Sequence, residues 1–292
     1  MRSSMLETST SDPNELCGVF VQALISELSK GKIELPGFPT IVARVQSVLS
    51  DAEADMSRIV RVLGGEPTLA AQLMRMGSSV AFNRSGTAVK DLRTAVTRIG
   101  LDTVRSAAIA LAVRQLREAQ ALKGLETYLD GLWQRSAQMA SLSFVIARRH
   151  ARVGADTALL AGLLQGVGRL YILVRVSQFP HLLQDREVYR KVEADYHLNV
   201  AAAVLRNWSM AEEIIEAVQH SESDLRQSRR PVGLADILCA SAQILDASDP
   251  QGSPSLAAGA KPVSRLSIRE ETRRTLLEES AQELQVLQEA LG

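Results

Sequence analysis

Four histidines, His150, His181, His197 and His220, and two cysteines, Cys17 and Cys239, are the only imidazoles and thiols in this 292-residue chain. No two histidines stand in an H-x-x-x-H pair, and the cysteines form no C-x-x-C, so the spacings that hold a catalytic zinc or a thiolate-bound metal are missing. No G-x-S-x-G elbow offers a serine nucleophile, and no G-x-x-x-x-G-K-[ST] or G-x-G-x-x-G loop cradles phosphate. Two features remain. In "ALLAGLLQGVGRLYILV", residues 158–174, an amide and a glycine, Gln165 and Gly166, interrupt what reads as one apolar helix. Arginines stand nearby in sequence: Arg135, Arg169, and the run "RRHAR" that contains Arg148, Arg149 and Arg152. A guanidinium fork suits carboxylate or phosphate. The basic run reads either as a solvated helix end that complements the helix dipole or as a docking surface for an acidic partner or a nucleotide.

The elements that would position these residues are helices. "FPTIVARVQSVLS" places Ile41, Val42, Val45, Val48 and Leu49 on one face. Asp55 is set to cap "MSRIVRVL", which Gly64 and Gly65 stop, and Pro67 opens a helix that carries Leu69, Leu73 and Met76. Asp91 caps "LRTAVTRIG", Gly100 ends it, and "LDTVRSAAIALAVRQL" follows. A long helix is expected over 125–151. No five residues alternate with period two, so the class is all-α. Residues 1–14 are polar and expected to be disordered, 248–262 are rich in Ser, Pro, Gly and Ala and read as a linker, and 268–291 read as a charged helix. There Leu277, Leu284 and Leu291 recur every seven residues, with Leu287 beside them. That pattern fits a removable coiled-coil arm or a terminal helix packed on its own domain. If the helix is an arm, a chain ending near Ala247 stays folded.

The first half has a recognisable order. "LPGFPTIVARVQSVLSDAEADMSRIVRVLGGEPTLAAQLMRMGSS" followed by "VKDLRTAVTRIGLDTVRSAAIALAV" resembles the HDOD domain, a bacterial relative of the HD-superfamily phosphohydrolases. The resemblance runs from Leu35 to about Asp246. It divides the chain into a tail and helix at 1–34, an HDOD domain at 35–247, a linker at 248–267 and a terminal helix at 268–292. Within the domain, 35–123 is an N-terminal helical part and 124–247 a degenerate HD-like part. The resemblance implies ligand positions one at a time. "LWQRSAQMASLSFVIARR" is similar to the helix that presents the first metal histidine, and Arg135 stands there. "LLAGLLQGVGRLYIL" is similar to the segment with the His-Asp pair, and Gln165 and Gly166 stand in that place, with Val167, Gly168 and Arg169 matching the tail. His197 and His220 fall where family histidines are common, and Ser241 stands near the last aspartate.

Active relatives cluster His and Asp around divalent metals that activate water and polarise phosphoryl oxygens. A weak amide oxygen, a missing side chain and a cation do not supply those lone pairs. The resemblance therefore implies a bacterial regulatory protein that is not an enzyme, carries no metal or other cofactor, and works through contacts with signalling proteins. Its expected settings are cyclic-di-GMP, chemosensory or motility pathways. The two alternatives are a divergent HD-type phosphohydrolase with rebuilt ligands, and a binder of a small anionic ligand between Arg135 and Arg169. Two scattered histidines also read as polar residues hydrogen-bonded near helix ends. Lys plus Arg equals Asp plus Glu at 33 each, which disfavours nucleic acid. The apolar run at 158–174 is short for a membrane span and interrupted, so the expectation is a core helix of a soluble, cytoplasmic protein.

Overall fold

The computed structural model describes residues 13–30, 40–79, 82–83, 86, 88–117, 124–150, 153–179, 182, 185–208, 210–223, 225, 231–248, 265–266 and 268–291. Among them every regular element is a helix. The elements are α1 (Pro13–Lys30), α2 (Thr40–Ser50), α3 (Met56–Gly64), α4 (Pro67–Ser78), α5 (Leu92–Ile99), α6 (Leu101–Arg117), α7 (Glu126–His150), α8 (Ala155–Leu164), α9 (Val167–Val176), α10 (Arg186–Asn207), α11 (Glu212–Gln219), α12 (Leu234–Ser248) and α13 (Glu270–Leu291).

The capping residues act as their chemistry dictates. The Arg58 N–H donates to Asp55 Oδ1 at 2.7 Å and the Thr94 N–H to Asp91 Oδ1 at 2.7 Å, so each carboxylate satisfies an orphan donor of a first helical turn. The Thr94 backbone N–H holds the Asp91 carboxyl below its usual pKa. Helices α2 to α6 form an N-terminal layer in which α2 lies on α6 and α4 on α5. Ile41, Val42, Val45, Val48 and Leu49 all point into its core, as do Leu69, Leu73 and Met76.

The second layer is organised by α7, which packs against α8, α12 and α13. The apolar run expected as one helix is two, α8 and α9, hinged at Gln165 and Gly166. Residues 155–176 are apolar enough for a membrane span by composition, but 83% of that window is buried inside the protein, as in the core of a soluble protein. Close packing explains its glycines. A Cβ on Gly168 would come within 1.9 Å of the His197 carbonyl oxygen and 2.8 Å of the Ala201 nitrogen, so α9 can lie against α10 only with glycine there. A Cβ on Gly162 would reach 2.7 Å from Ala140 Cα, which holds α8 against α7.

The C-terminal helix lies on the body of the protein. Helix α13 rests on α7, α4 and α6, Leu276 is fully buried, and Leu277 and Leu284 pack against the same core. Of the two readings of its leucines, the packed terminal helix describes this arrangement, and the buried leucine is one that the seven-residue spacing skips. The end of the expected linker is also pinned. Arg265 Nε donates to Asp236 Oδ1 at 2.8 Å and its Nη2 to Oδ2 at 2.6 Å, with Asp236 only 1% exposed. Burial raises the Asp236 carboxyl, but the Arg265 fork and the Gly233 N–H outweigh it and hold the pKa below its usual value. The polar stretch 1–12, most of the 248–262 linker, the "LPGF" segment, and the side chains of Cys17, His150, Arg152, His181, Leu287 and Leu291 lie outside the described residues.

Candidate functional site

Glu222, in the turn after α11, is the centre of a buried polar network. Its side chain is 7% exposed. Gln165, at the break between α8 and α9, donates from Nε2 to Glu222 Oε1 at 3.0 Å. Arg169, one turn further on α9, donates to the same oxygen from Nη2 at 2.9 Å. His197 of α10 lies with Nε2 at 3.0 Å from Glu222 Oε2, and its Nδ1 is 2.7 Å from the Glu193 carbonyl oxygen. Both neighbours of that ring are acceptors, a backbone carbonyl at Nδ1 and a carboxylate at Nε2. Glu193, also on α10, sits 3.9 Å from Arg169 Nε and accepts from the Tyr189 hydroxyl at 3.4 Å.

The two carboxyls respond in opposite directions. Burial pushes Glu222 up, but the charge of Arg169, followed by the His197 hydrogen bond and charge, outweighs burial and lowers its pKa to about 2. Glu193 is raised, because burial outweighs Arg169 and His197 and the Glu222 charge adds to it. Tyr189 is raised by burial and then by Glu193, so it stays a neutral donor. A carboxylate that holds Gln165, the Arg169 guanidinium and the His197 ring on its two oxygens is satisfied without a metal.

This donor set does not fit a divalent ion. A metal-bound imidazole must turn a lone pair to the metal, and both His197 nitrogens face oxygens of the protein instead. Arg169 already pairs with Glu222 at 2.9 Å and lies 3.9 Å from Glu193. Gly166 offers no ligand, and a Cβ built there would meet Ser136 Oγ at 2.5 Å. Among the described residues no three His, Cys, Asp or Glu form a cluster able to hold a metal ion.

The remaining expected positions are not brought to this network by any direct contact. Arg135 donates from Nη2 to Asp246 Oδ1 of α12 at 2.5 Å. Ser241 forms a buried hydroxyl pair with Ser143 of α7 at 2.9 Å. His220 closes the end of α11, with Nδ1 2.8 Å from the Glu216 carbonyl, which is the expected helix-end role. His197 does not share that role, since it lies in the middle of α10. At the two arginines of the expected anion site, Asp246 pairs with Arg135, and Glu222 with Glu193 faces Arg169. The space beside Gly166 is apolar, lined by Leu129, Trp133, Leu163, Val167, Leu170 and Trp208, with about 30 Å³ open to the centre of a water molecule. That volume holds one or two water-sized groups, far short of a nucleotide. Arg148 and Arg149 are also partnered, by Glu283 at 3.2 Å and by Glu279 of α13. The acidic surface that Arg148 and Arg149 face is the chain's own C-terminal helix.

Sequence reasoning missed Glu222, Glu193, Tyr189 and Asp246. The one available signal was a charged residue, Glu222, placed between apolar helices and two residues after a histidine.

The HDOD domain family model matches residues 35–223. The chain belongs to the HDOD domain family. The match stops short of α12, which nonetheless packs on α7, α8 and α11 as part of the same helical body. Solved structures share the fold. A provisionally named metal-dependent phosphohydrolase from Shewanella amazonensis SB2B is 21% identical, with a TM-score of 0.64 over 92% of this chain and 99% of that one. A provisionally named signal transduction protein from Marinobacter aquaeolei VT8 is 21% identical, with a TM-score of 0.58 over 96% of this chain and 68% of that one. An HDOD domain protein of unknown function from Geobacter sulfurreducens is 21% identical, with a TM-score of 0.55 over 95% and 94%. A search of curated proteins found no significant match.

Proposed function

We propose that this HDOD protein is a non-enzymatic bacterial signal-transduction module that works through protein–protein contacts in the cytoplasm. One observation carries the reading. At the break where the His-Asp pair would stand, Gln165 joins Arg169 and His197 on the Glu222 carboxylate, so the polar groups of the site satisfy one another. A hydrolase needs unsatisfied lone pairs aimed at a metal and a path for phosphate. Here the lone pairs are taken, and the neighbouring cavity is narrow and apolar. The network ties α8, α9, α10 and the turn after α11 together, which is the structural part of what a metal cluster would do. The cyclic-di-GMP, chemosensory and motility settings implied by family resemblance are compatible with such a module.

Elemental analysis of full-length protein purified without chelator tests the proposal. The expected result is no stoichiometric iron, manganese, nickel or zinc. A full equivalent of metal that is lost in Glu222→Gln would overturn it and favour the divergent-phosphohydrolase reading.

A further inference from the structure

We infer that the C-terminal end of α7 is a docking surface for an acidic amphipathic helix of a partner protein, kept covered by α13 until that helix displaces it. The inference deepens the reading of the protein as a contact-driven module and rests on it.

The surface is built from α7. Arg148 lies over the Phe144 ring at 5.5 Å, which fixes its guanidinium, and Arg149 and Val145 stand beside it. The occupant, α13, is acidic, with six glutamates and two arginines over 270–291. Its inner face is Leu276 and Ser280, with Leu277 and Leu284 at the margin. Glu279 and Glu283, one helical turn apart, meet Arg149 and Arg148. The recognition code is therefore a leucine anchor with two carboxylates at i+3 and i+7.

Three observations say that the contact is made to open. The two ion pairs are solvent-reached, with Arg148 52% and Arg149 39% exposed at the side chain, so water and salt compete for them. Between the helices lies a polar gap of about 350 Å³, lined by Val145, Arg148, Arg149, Glu279, Gln282 and Glu283, so packing is loose where the charges meet. Arg273 Nε on the same helix is buried with no hydrogen-bond partner, a cost that release would relieve.

A labelled synthetic peptide of residues 270–291 is the probe, added to full-length protein and read by fluorescence anisotropy. In the wild type the tethered helix competes at an effective concentration of about millimolar. Weakening it with Glu279→Lys and Glu283→Lys is expected to tighten peptide binding by about tenfold or more, from two pairs each worth a few-fold. The variant Arg148→Glu with Arg149→Glu also loosens its own helix, yet is expected to refuse the native peptide and to accept one carrying the two lysines. If the lysine variant fails to fold by circular dichroism, Glu279→Gln with Glu283→Gln takes its place. Equal peptide binding by both loosened chains, or binding by none, would overturn the inference. So would conversion of the loosened chain to a dimer without peptide binding, since the occupant would then be a second copy. Metal content and hydrolysis are read separately, so failure here leaves the non-enzymatic reading intact.

Discussion

Replacing Glu222 with glutamine keeps its shape and removes its charge. The carboxyl sits at about 2 in the folded protein against 4.5 for a free side chain, which corresponds to about 3 kcal/mol of folding stability at neutral pH. The group is 7% exposed, so solvent screening takes little of this. The variant also leaves Arg169, 12% exposed, with Glu193 alone at 3.9 Å. A loss of about 3 kcal/mol lowers the melting temperature by about 6–12 °C for a chain of this size class. The sign of the pH dependence follows from the direction of the shift. A lowered folded pKa stabilises fully above 4.5 and ceases to do so as pH falls toward 2, so the gap between wild type and variant should close across that window. Glu193 has the opposite sign, because its raised pKa adds stability as it takes up a proton on the way down from neutral pH. Its contribution is common to both chains at first order, which makes the difference between them the useful quantity. Urea unfolding of both proteins at several pH values from 7 to 3 gives that difference. Equal stability at pH 7, or a gap that does not narrow between pH 5 and pH 3, would refute the ionic account of the network.

Three further outcomes follow from the geometry. The double change Gln165→His and Gly166→Asp is expected to give no phosphodiesterase activity and to lose about 1–3 kcal/mol in thermal unfolding, because the new carboxylate meets Ser136 and the Gln165 bond to Glu222 is lost. Gly168→Ala should cost at least about 3 kcal/mol or yield insoluble protein, since its Cβ overlaps the α10 backbone, and expression with circular dichroism checks this. Asp236→Asn should destabilise by about 2–3 kcal/mol in denaturant titration by leaving the Arg265 fork without its charge partner, and truncation near Ala247 should cost at least as much because it also empties the seat of Leu276.

How much of this was written locally in the chain can be traced residue by residue. Asp55, Asp91 and Pro67 mark helix starts because capping involves only the next three residues, and the core face of α2 follows from its 3.6-residue period. The break at Gln165 and Gly166 was visible as an oddity, yet its consequence was not. The partner of Gln165 is 57 residues away, that of Arg169 is 53 away and that of His197 is 25 away. Such separations are set by how α9, α10 and α11 pack, which no local pattern encodes. The same reason hid Asp246 from Arg135, 111 residues apart, and turned the basic run of α7 toward its own terminal helix. The seven-residue spacing of Leu277, Leu284 and Leu291 did not point to the anchor, because the helix buries Leu276 most deeply, one residue away from that seam, with Leu277 and Leu284 at its margin.

Turnover of a cyclic dinucleotide by the full-length protein with added Mn²⁺, compared with Glu222→Gln, tests the central claim most directly. The account predicts that neither chain exceeds the rate of Mn²⁺ in buffer, because the carboxylate and imidazole at the site are already satisfied by Arg169, Gln165 and the α10 backbone. Saturable hydrolysis by the wild type that Glu222→Gln abolishes would contradict it and make Glu222 a working ligand of an enzyme.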